Sequence, residues 1–311
     1  MEKLVLIDGN AIVHRAFHAL PPLHAHKGMP TNAVYGFFAM VLKVINDLRP
    51  KYLVVTFDRA APTFRQQMFV RYQAQRPKMK DELSTQFKLL HEILENAKFK
   101  IFEVDGYEAD DMIGTISNQA KNLDVIILSG DRDLLQLVNG HVMMIAPIVG
   151  VTKMILFNKD KVVEKYGLDP EQIPDYKALV GDPSDNYPGV AGIGPKTASD
   201  LIKKFDSLEN LYQRLSEVAP KIAEKLAIDA EQSALAKKLA TIDVDAPIKF
   251  VLDQAKTDDI DEKSLLKNFK KLGFNSLINR FNLDKAPEIT EISEEPGRKE
   301  EKKDADQMNL I

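Results

Sequence analysis

The sequence predicts an α/β fold built on a mostly parallel central sheet, followed by a helical region. Three observations predict it. Five short apolar runs read as strands, and most are continuous rather than alternating, as expected of strands buried on both faces. Longer stretches with apolar residues at helical spacing lie between several of them. Beyond about Pro174 the strand signals fade and short helical patterns take over.

The strands are expected at Lys3–Ile7, Tyr52–Phe57, Lys100–Val104, Asp124–Leu128 and His141–Ala146. The clearest intervening helix is Glu108–Ala120, with Ala109, Met112, Ile113, Ile116 and Ala120 on one stripe. Later helices are expected at Tyr176–Val180, Pro195–Phe205, Pro220–Ala227 and Ala230–Ala240. The expected division is an α/β core over 1–173, a helical domain over 174–285 and a tail over 286–311. No Gly/Ser linker separates the first two, so they are expected to pack closely. The tail is rich in Glu and Lys and poor in apolar residues, which predicts an acidic, disordered segment.

Composition narrows the function. The longest apolar runs are far too short to span a bilayer, and the start MEKLVLIDGN lacks the pattern of a signal peptide. The absence of cysteine excludes disulfides, thiolate zinc sites and cysteine nucleophiles, and it suits a reducing cytoplasm. The net charge of −4 is carried by the segment 287–311; residues 1–286 hold 38 bases and 38 acids. Nine of those acids are read below as one metal site. Without them the rest of 1–286 carries an excess of nine positive charges, a basic surface around an acidic pocket.

Three strands run directly into aspartate: LVLID ends in Asp8, LVVTFD in Asp58, and VIILSGDRD in Asp131 and Asp133. A fourth run, KIFEVDGYEADD, leads into a helix that opens with Glu108, Asp110 and Asp111. Ligands of open α/β sheets bind outside the carboxyl ends of the strands, so four strands deliver acids to one rim. A single aspartate after a strand usually serves as a turn former or helix cap. Four such deliveries together repel one another unless cations or protons are bound. Few histidines and no cysteines point to hard, oxygen-ligated ions, Mg²⁺ or Mn²⁺. Glu108 and Asp111 are three apart on one helix face while Asp110 points elsewhere, an arrangement for two ions or two shells. Two ions about 4 Å apart suit in-line phosphoryl displacement.

The string GDPSDNYPGVAGIGPKTAS at 181–199 adds Asp182 and Asp185, again three apart. It continues through Gly189, Gly192 and Gly194 to Pro195, Lys196 and Thr197 at a helix start. Glycines followed by proline at the first helical position make a tight turn whose amides face an anion, with Lys196 adding charge. Residues 59–80 interleave Arg59, Arg65, Arg71, Arg76, Lys78 and Lys80 with Phe64, Phe69 and Tyr72, which suits single-strand contact by charge and stacking.

Together, LIDGNAIVHRAFHAL, AVYGF, FDRAAPTFR, GYEADDMIG, SGDRDLLQL and GDPSDNYPGVAGIGPKTA, in that order, closely resemble the 5′-nuclease domain of bacterial DNA polymerase I. This domain belongs to the wider flap endonuclease family, and the resemblance runs from about Lys3 to Leu283. It implies a PIN-like core, a helical arch at about 59–96 and a helix–hairpin–helix at Gly189–Ala198 that grips the duplex backbone with a K⁺ ion. It implies that Asp8, Asp58, Glu108, Asp110, Asp111, Asp131, Asp133, Asp182 and Asp185 hold two or more metal ions. Tyr72 and Arg76 take catalytic positions in the arch. Arg65, Arg71, Lys78, Gly189, Gly192, Gly194, Lys196 and Thr197 take DNA-binding ones. The implied activity is 5′→3′ exonuclease and flap endonuclease on 5′ flaps, nicks and gapped junctions, including RNA primers. The implied protein is a monomer in the bacterial cytoplasm, at the nucleoid.

One position departs from the pattern. The family arch carries lysine three residues before its arginine, and here that place is Gln73. The alternative function is therefore a junction-binding module that cuts weakly. A phosphatase whose first strand ends in Asp-x-Asp is a third reading, but Asp8 is followed by Gly9 and Asn10. Finally, Gln307-Met308-Asn309-Leu310-Ile311 resembles the pentapeptide that binds the bacterial sliding clamp. Gln307, Leu310 and Ile311 are its expected anchors on a tethered tail.

Overall fold

The computed structural model describes residues 1–25 and 28–281. A six-stranded sheet is built from β1 (Lys3–Asp8), β2 (Tyr52–Thr56), β3 (Lys100–Phe102), β4 (Asp124–Leu128), β5 (Val142–Val149) and β6 (Lys153–Phe157). The order is β3-β2-β1-β4-β5-β6, parallel throughout except for the antiparallel β5–β6 pair at one edge. The sequence reading missed β6, whose KMILF run is short and only partly buried.

Both faces of the sheet are covered, which is why its strands read as continuous apolar runs. Val5, Ile7, Leu53, Val55, Ile126 and Leu128 point to one face. There they meet α1 (Gly9–Ala19), α2 (Asn32–Leu48) and α4 (Asp81–Asn96). Leu4, Leu6, Val54, Val125 and Ile127 alternate to the other face. That face is closed by α5 (Ala109–Gln119) and by residues 242–255. Between β2 and α4 the chain makes only the short α3 (Phe64–Met68).

After α6 (Lys159–Tyr166), a third core joins α7 (Ile173–Val180), α8 (Pro195–Phe205), α9 (Leu208–Gln213) and α10 (Pro220–Ile228). A two-stranded hairpin, β7 (Gly181–Asp182) and β8 (Tyr187–Pro188), links α7 to α8. The chain then runs through α11 (Ala230–Ala240) back to the sheet, and the described part closes with α12 (Glu262–Leu272) and α13 (Asn275–Phe281).

Two expectations are corrected here. The helical domain does not extend over 174–285, because Leu265, Phe269, Leu272, Phe274 and Leu277 complete the core of the first face. The arch does not extend over 59–96 either. Leu83, Leu90, Ile93 and Leu94 of α4 are buried in that same core, so 59–80 is the part free to border the cleft. The expected tail, with Gln307, Leu310 and Ile311, lies outside the described residues.

Candidate metal centre and nucleic-acid interface

The parallel strands β1, β2 and β4 bring their carboxyl ends to one rim, and Asp8, Asp58 and Asp131 stand there. Asp8 is both strand terminus and helix cap. Its Oδ1 accepts from the Ala11 amide of α1 at 3.0 Å and its Oδ2 from the Ser129 hydroxyl at 2.6 Å. Asp58 Oδ1 accepts from the Ala109 amide at 2.7 Å, and Asn10 Oδ1 accepts from the Asp58 amide. Asp131 Oδ1 accepts from the Asp133 amide, while its own amide donates to Ser129 Oγ. Turn formation and capping are therefore real at these positions, and they fix where the remaining oxygens point.

Loss of hydration is the main force on this group. It pushes Asp8 up to about 7 against the opposing Ser129 and Ala11 hydrogen bonds. Asp110 is raised well above the ordinary carboxylate range by burial, with Asp131, Asp8 and Asp58 adding repulsion. Asp58 opens to solvent at the cleft mouth, yet protein on its other sides raises it too. Asp131 is raised chiefly by burial as well. Asp8, Asp58, Asp110 and Asp131 thus form a mutually repelling set.

A second set comes from two places. Asp133 follows β4 two residues after Asp131, while Asp182 ends β7 and Asp185 lies in the turn of the β7–β8 hairpin. Carboxylate oxygens of these three lie within 4.8 Å of one another. Lys177 of α7 donates to Asp133 Oδ1 and to Asp182 Oδ2. Burial pushes Asp133 up to about 7. For Asp182, burial is outweighed by Lys177 and the Ser184 hydrogen bonds, which hold it below the ordinary range. Asp185 Oδ1 accepts from Arg76 Nη2 at 2.7 Å and Gln73 Nε2 at 3.2 Å, and its Oδ2 from the Tyr72 hydroxyl at 3.1 Å.

Glu108 and Asp111 are tied by an arginine. Arg65 is 2% exposed and places all five N–H groups. Two go to Asp111 at 2.7 Å each, one to Glu108 at 3.2 Å, and two to the Leu239 and Thr241 carbonyls. The Glu108 and Asp243 amides complete the shell of Asp111, which is fully buried. Two assignments are therefore corrected. Asp111 is not placed as a metal ligand, because each of its oxygens already accepts two hydrogen bonds. Arg65 is not placed to touch DNA, because it is buried and spends every donor within the protein. Glu108 still borders the cleft, pushed up to about 7 by burial against the pull of Arg65.

Tyr72 is also corrected. It is 3% exposed, stacks on Tyr187, and its single hydroxyl proton is shared between Glu108 and Asp185, so it is placed against the acids and not at the exposed surface of the cleft. Arg76 stays half exposed at the mouth, and Arg71 and Lys78 are exposed. Gln73 is engaged with Asp185 through both its backbone and side-chain N–H groups.

In the hairpin–helix turn, Gly192, Gly194 and Lys196 are exposed, and Thr197 is partly so. Gly192 needs its positive φ of 73°, and α8 starts at Pro195 with first-turn amides free of helical partners. Gly189 is different: it is buried, and a Cβ there would lie 2.3 Å from the Leu179 carbonyl. It permits close packing of the hairpin, which accounts for the glycine without a DNA contact. Sequence reasoning missed Ser129, Lys177 and Tyr187. Lys177 sits in YKALVGD like any helical lysine, and only the fold shows it turned inward.

The donor set fits divalent cations: it is all oxygen, crowded, and mostly raised toward protonation for want of positive charge. Among the described residues no helix is long and apolar enough to cross a membrane.

Comparison with known proteins places the chain in a family. The model of the 5′-3′ exonuclease N-terminal resolvase-like domain matches residues 3–167, and that of the 5′-3′ exonuclease C-terminal SAM fold matches 168–263. The 5′-3′ exonuclease of Aquifex aeolicus is 40% identical over 280 residues, 89% of this chain and 94% of the relative. DNA polymerase I of Bacillus subtilis is 42% identical over 288 residues, 92% of this chain and 33% of the relative. The chain thus spans about a third of the length of the DNA polymerase I relatives it matches. A solved structure of T5 5′-exonuclease with divalent zinc ions shares the fold at a TM-score of 0.66 and 22% identity, covering 87% of this chain and 99% of that one. With both domain models matched in sequence order, the chain belongs to the 5′-3′ exonuclease family.

Proposed function

We propose that this protein is a divalent-metal-dependent, structure-specific 5′ nuclease. Its substrate is DNA with a 5′ flap, nick or gapped junction, including one begun by an RNA primer, and its role is removal of flaps and primers in replication and repair. The observation that carries the reading is the convergence of seven carboxylates, Asp8, Asp58, Asp110, Asp131, Asp133, Asp182 and Asp185, at the carboxyl rim of the sheet, with Glu108 at its border. These acids would hold Mg²⁺ or Mn²⁺, which when bound would supply an activated water and charge stabilisation for the leaving oxygen of a phosphodiester. The chain's own residues do the rest. Ser129 and the Ala11 amide orient Asp8, and Tyr72 and Gln73 orient Asp185. Arg76, Arg71 and Lys78 draw the backbone toward the cleft. The turn at Gly192, Gly194, Lys196 and Thr197 grips duplex phosphates, with K⁺ bound beside it. The protein works as a monomer in the bacterial cytoplasm, and Gln307, Leu310 and Ile311 attach it to the sliding clamp.

The weakly cutting module gains no support. Position 73 is filled by a side chain that braces an acid of the centre. The chain matches a relative named as an exonuclease over nearly that relative's whole length.

The test is a set of 5′-labelled substrates in Mg²⁺: flap, nick, blunt duplex and single strand. The expected result is cleavage within a nucleotide or two of the flap junction. Equal cleavage of unpaired single strand, or none on any substrate, contradicts it.

A further inference from the structure

The second set of acids already contains a cation. Lys177 Nζ is bonded to Asp133 and Asp182, two of the three residues whose oxygens come together within 4.8 Å. Its side chain is 16% exposed, so this is an internal pairing and not a surface contact. Arg76 meets the third acid, Asp185, from the mouth of the cleft. In the first set, by contrast, Lys177 and Arg76 act on Asp131 and Asp58 only from a distance. Beside Lys177 lies Tyr187, 3% exposed, whose hydroxyl has no hydrogen-bond partner among the described residues. Asp133, Asp182 and Asp185 are among the charges that face it.

A divalent ion bound by Asp133 and Asp182 needs the oxygens that the ammonium holds. The two cations also repel strongly in a site this buried. The lysine stem has four rotatable carbons and its charge is compact, so the ammonium swings aside more readily than the backbone moves.

We propose that Lys177 is a tethered counter-ion of the second acid set: it pairs Asp133 and Asp182 until a divalent cation displaces it, and so weakens cation binding at that half of the centre. The inference rests on the metal-centre reading above. It makes the two halves unequal, with the strand-end acids filling first and the Asp133–Asp182–Asp185 set filling at higher metal concentration. Lys177 also relieves repulsion between the acids in the metal-free protein, so its loss weakens that form most.

The experiment measures Mn²⁺ binding to the full chain by calorimetry for wild type, Lys177→Met, Lys177→Arg and Asp182→Asn. Expected is about tenfold tighter binding of the weaker ion in Lys177→Met, with Lys177→Arg near wild type. A second readout uses the wild type alone: labelling of Lys177 by an amine-reactive reagent, followed by mass spectrometry, increases when Mn²⁺ is added. Unchanged or weaker binding in Lys177→Met overturns the proposal. Where that variant does not fold, labelling decides, and labelling that does not respond to Mn²⁺ overturns it equally. If the wild type binds no Mn²⁺, the metal-centre reading fails as well. If it binds ions that Asp182→Asn reduces while Lys177 has no effect, only the role of Lys177 fails.

Discussion

The two halves of the carboxylate centre reach similar chemistry by different construction. Asp8, Asp58 and Asp131 sit at the ends of strands with Asp110 beside them, and their partners are backbone amides and Ser129. Asp182 also takes backbone amides, from Ser184 and Asp185, but its set is distinguished by charged and polar side chains: Lys177 on Asp133 and Asp182, and Arg76, Gln73 and Tyr72 on Asp185. The first half is fixed by the fold itself and left electrostatically frustrated, so it has most to gain from a cation. The second depends on side chains that rearrange more readily. The contrast teaches that equal acids in a sequence are not equal sites.

The largest expected effect separates the halves directly. Asp131→Asn should slow flap cleavage by about 10³-fold, on the order of 4 kcal/mol, while junction binding survives. Asp182→Asn should cost clearly less at saturating Mg²⁺. Single-turnover rates of the two variants check this, and equal losses would erase the distinction.

Next comes the brace behind both halves. Arg65→Met strands Asp111 as an unpaired buried charge and should destabilise the protein by about 3 kcal/mol in urea unfolding. Adding Asp111→Leu should restore much of that, since a buried pair replaced by apolar groups is often neutral. No recovery would show that the Glu108 and Asp243 amides depend on Asp111 as much as Arg65 does.

A smaller effect concerns pH without metal. Asp8, Glu108 and Asp133 are raised to about 7 in the folded protein. The native state then keeps protons that the unfolded chain releases near pH 4. Stability from these groups is present at low pH and lost as pH rises from about 4 to about 7. Asp182 has the opposite sign: held low, it contributes above the unfolded pKa and loses that contribution as pH falls below it. Thermal unfolding in EDTA should therefore show a falling midpoint between pH 5 and 7, and excess Mg²⁺ should remove most of the slope. A midpoint that rises over that range contradicts the assignment.

The smallest effect lies outside the centre. Lys196→Ala should weaken duplex binding alike on unrelated sequences and make the salt slope shallower by about one unit. An unchanged slope would show that the exposed turn does not meet phosphate.

How much of this was legible in the sequence follows the same division. The strand-end acids were readable because an apolar run ending in Asp needs only local pattern and the rule for parallel sheets. Helices α8 and α11 were readable to their end residues, Pro195–Phe205 and Ala230–Ala240, from their apolar stripes. Arg65 misled because a basic residue beside aromatics looks the same whether it faces DNA or an interior carboxylate. Only the fold brings Asp111, Leu239 and Thr241 around it. Lys177 was invisible for the same reason: its partners come from β4's end and the β7–β8 hairpin, up to 44 residues away. The return of Leu265–Leu277 to the first core is equally long-range, so no break in local pattern announced it.

The most direct test of the metal centre is one titration: cleavage of a labelled 5′-flap duplex against Mg²⁺ concentration, from EDTA upward, for wild type and Asp131→Asn. Expected are no product in EDTA, a rise with Mg²⁺ that is steeper than single-ion binding for the wild type, and a nearly flat trace for Asp131→Asn. Cleavage that persists in EDTA, or an Asp131→Asn trace that follows the wild type, would contradict the metal centre.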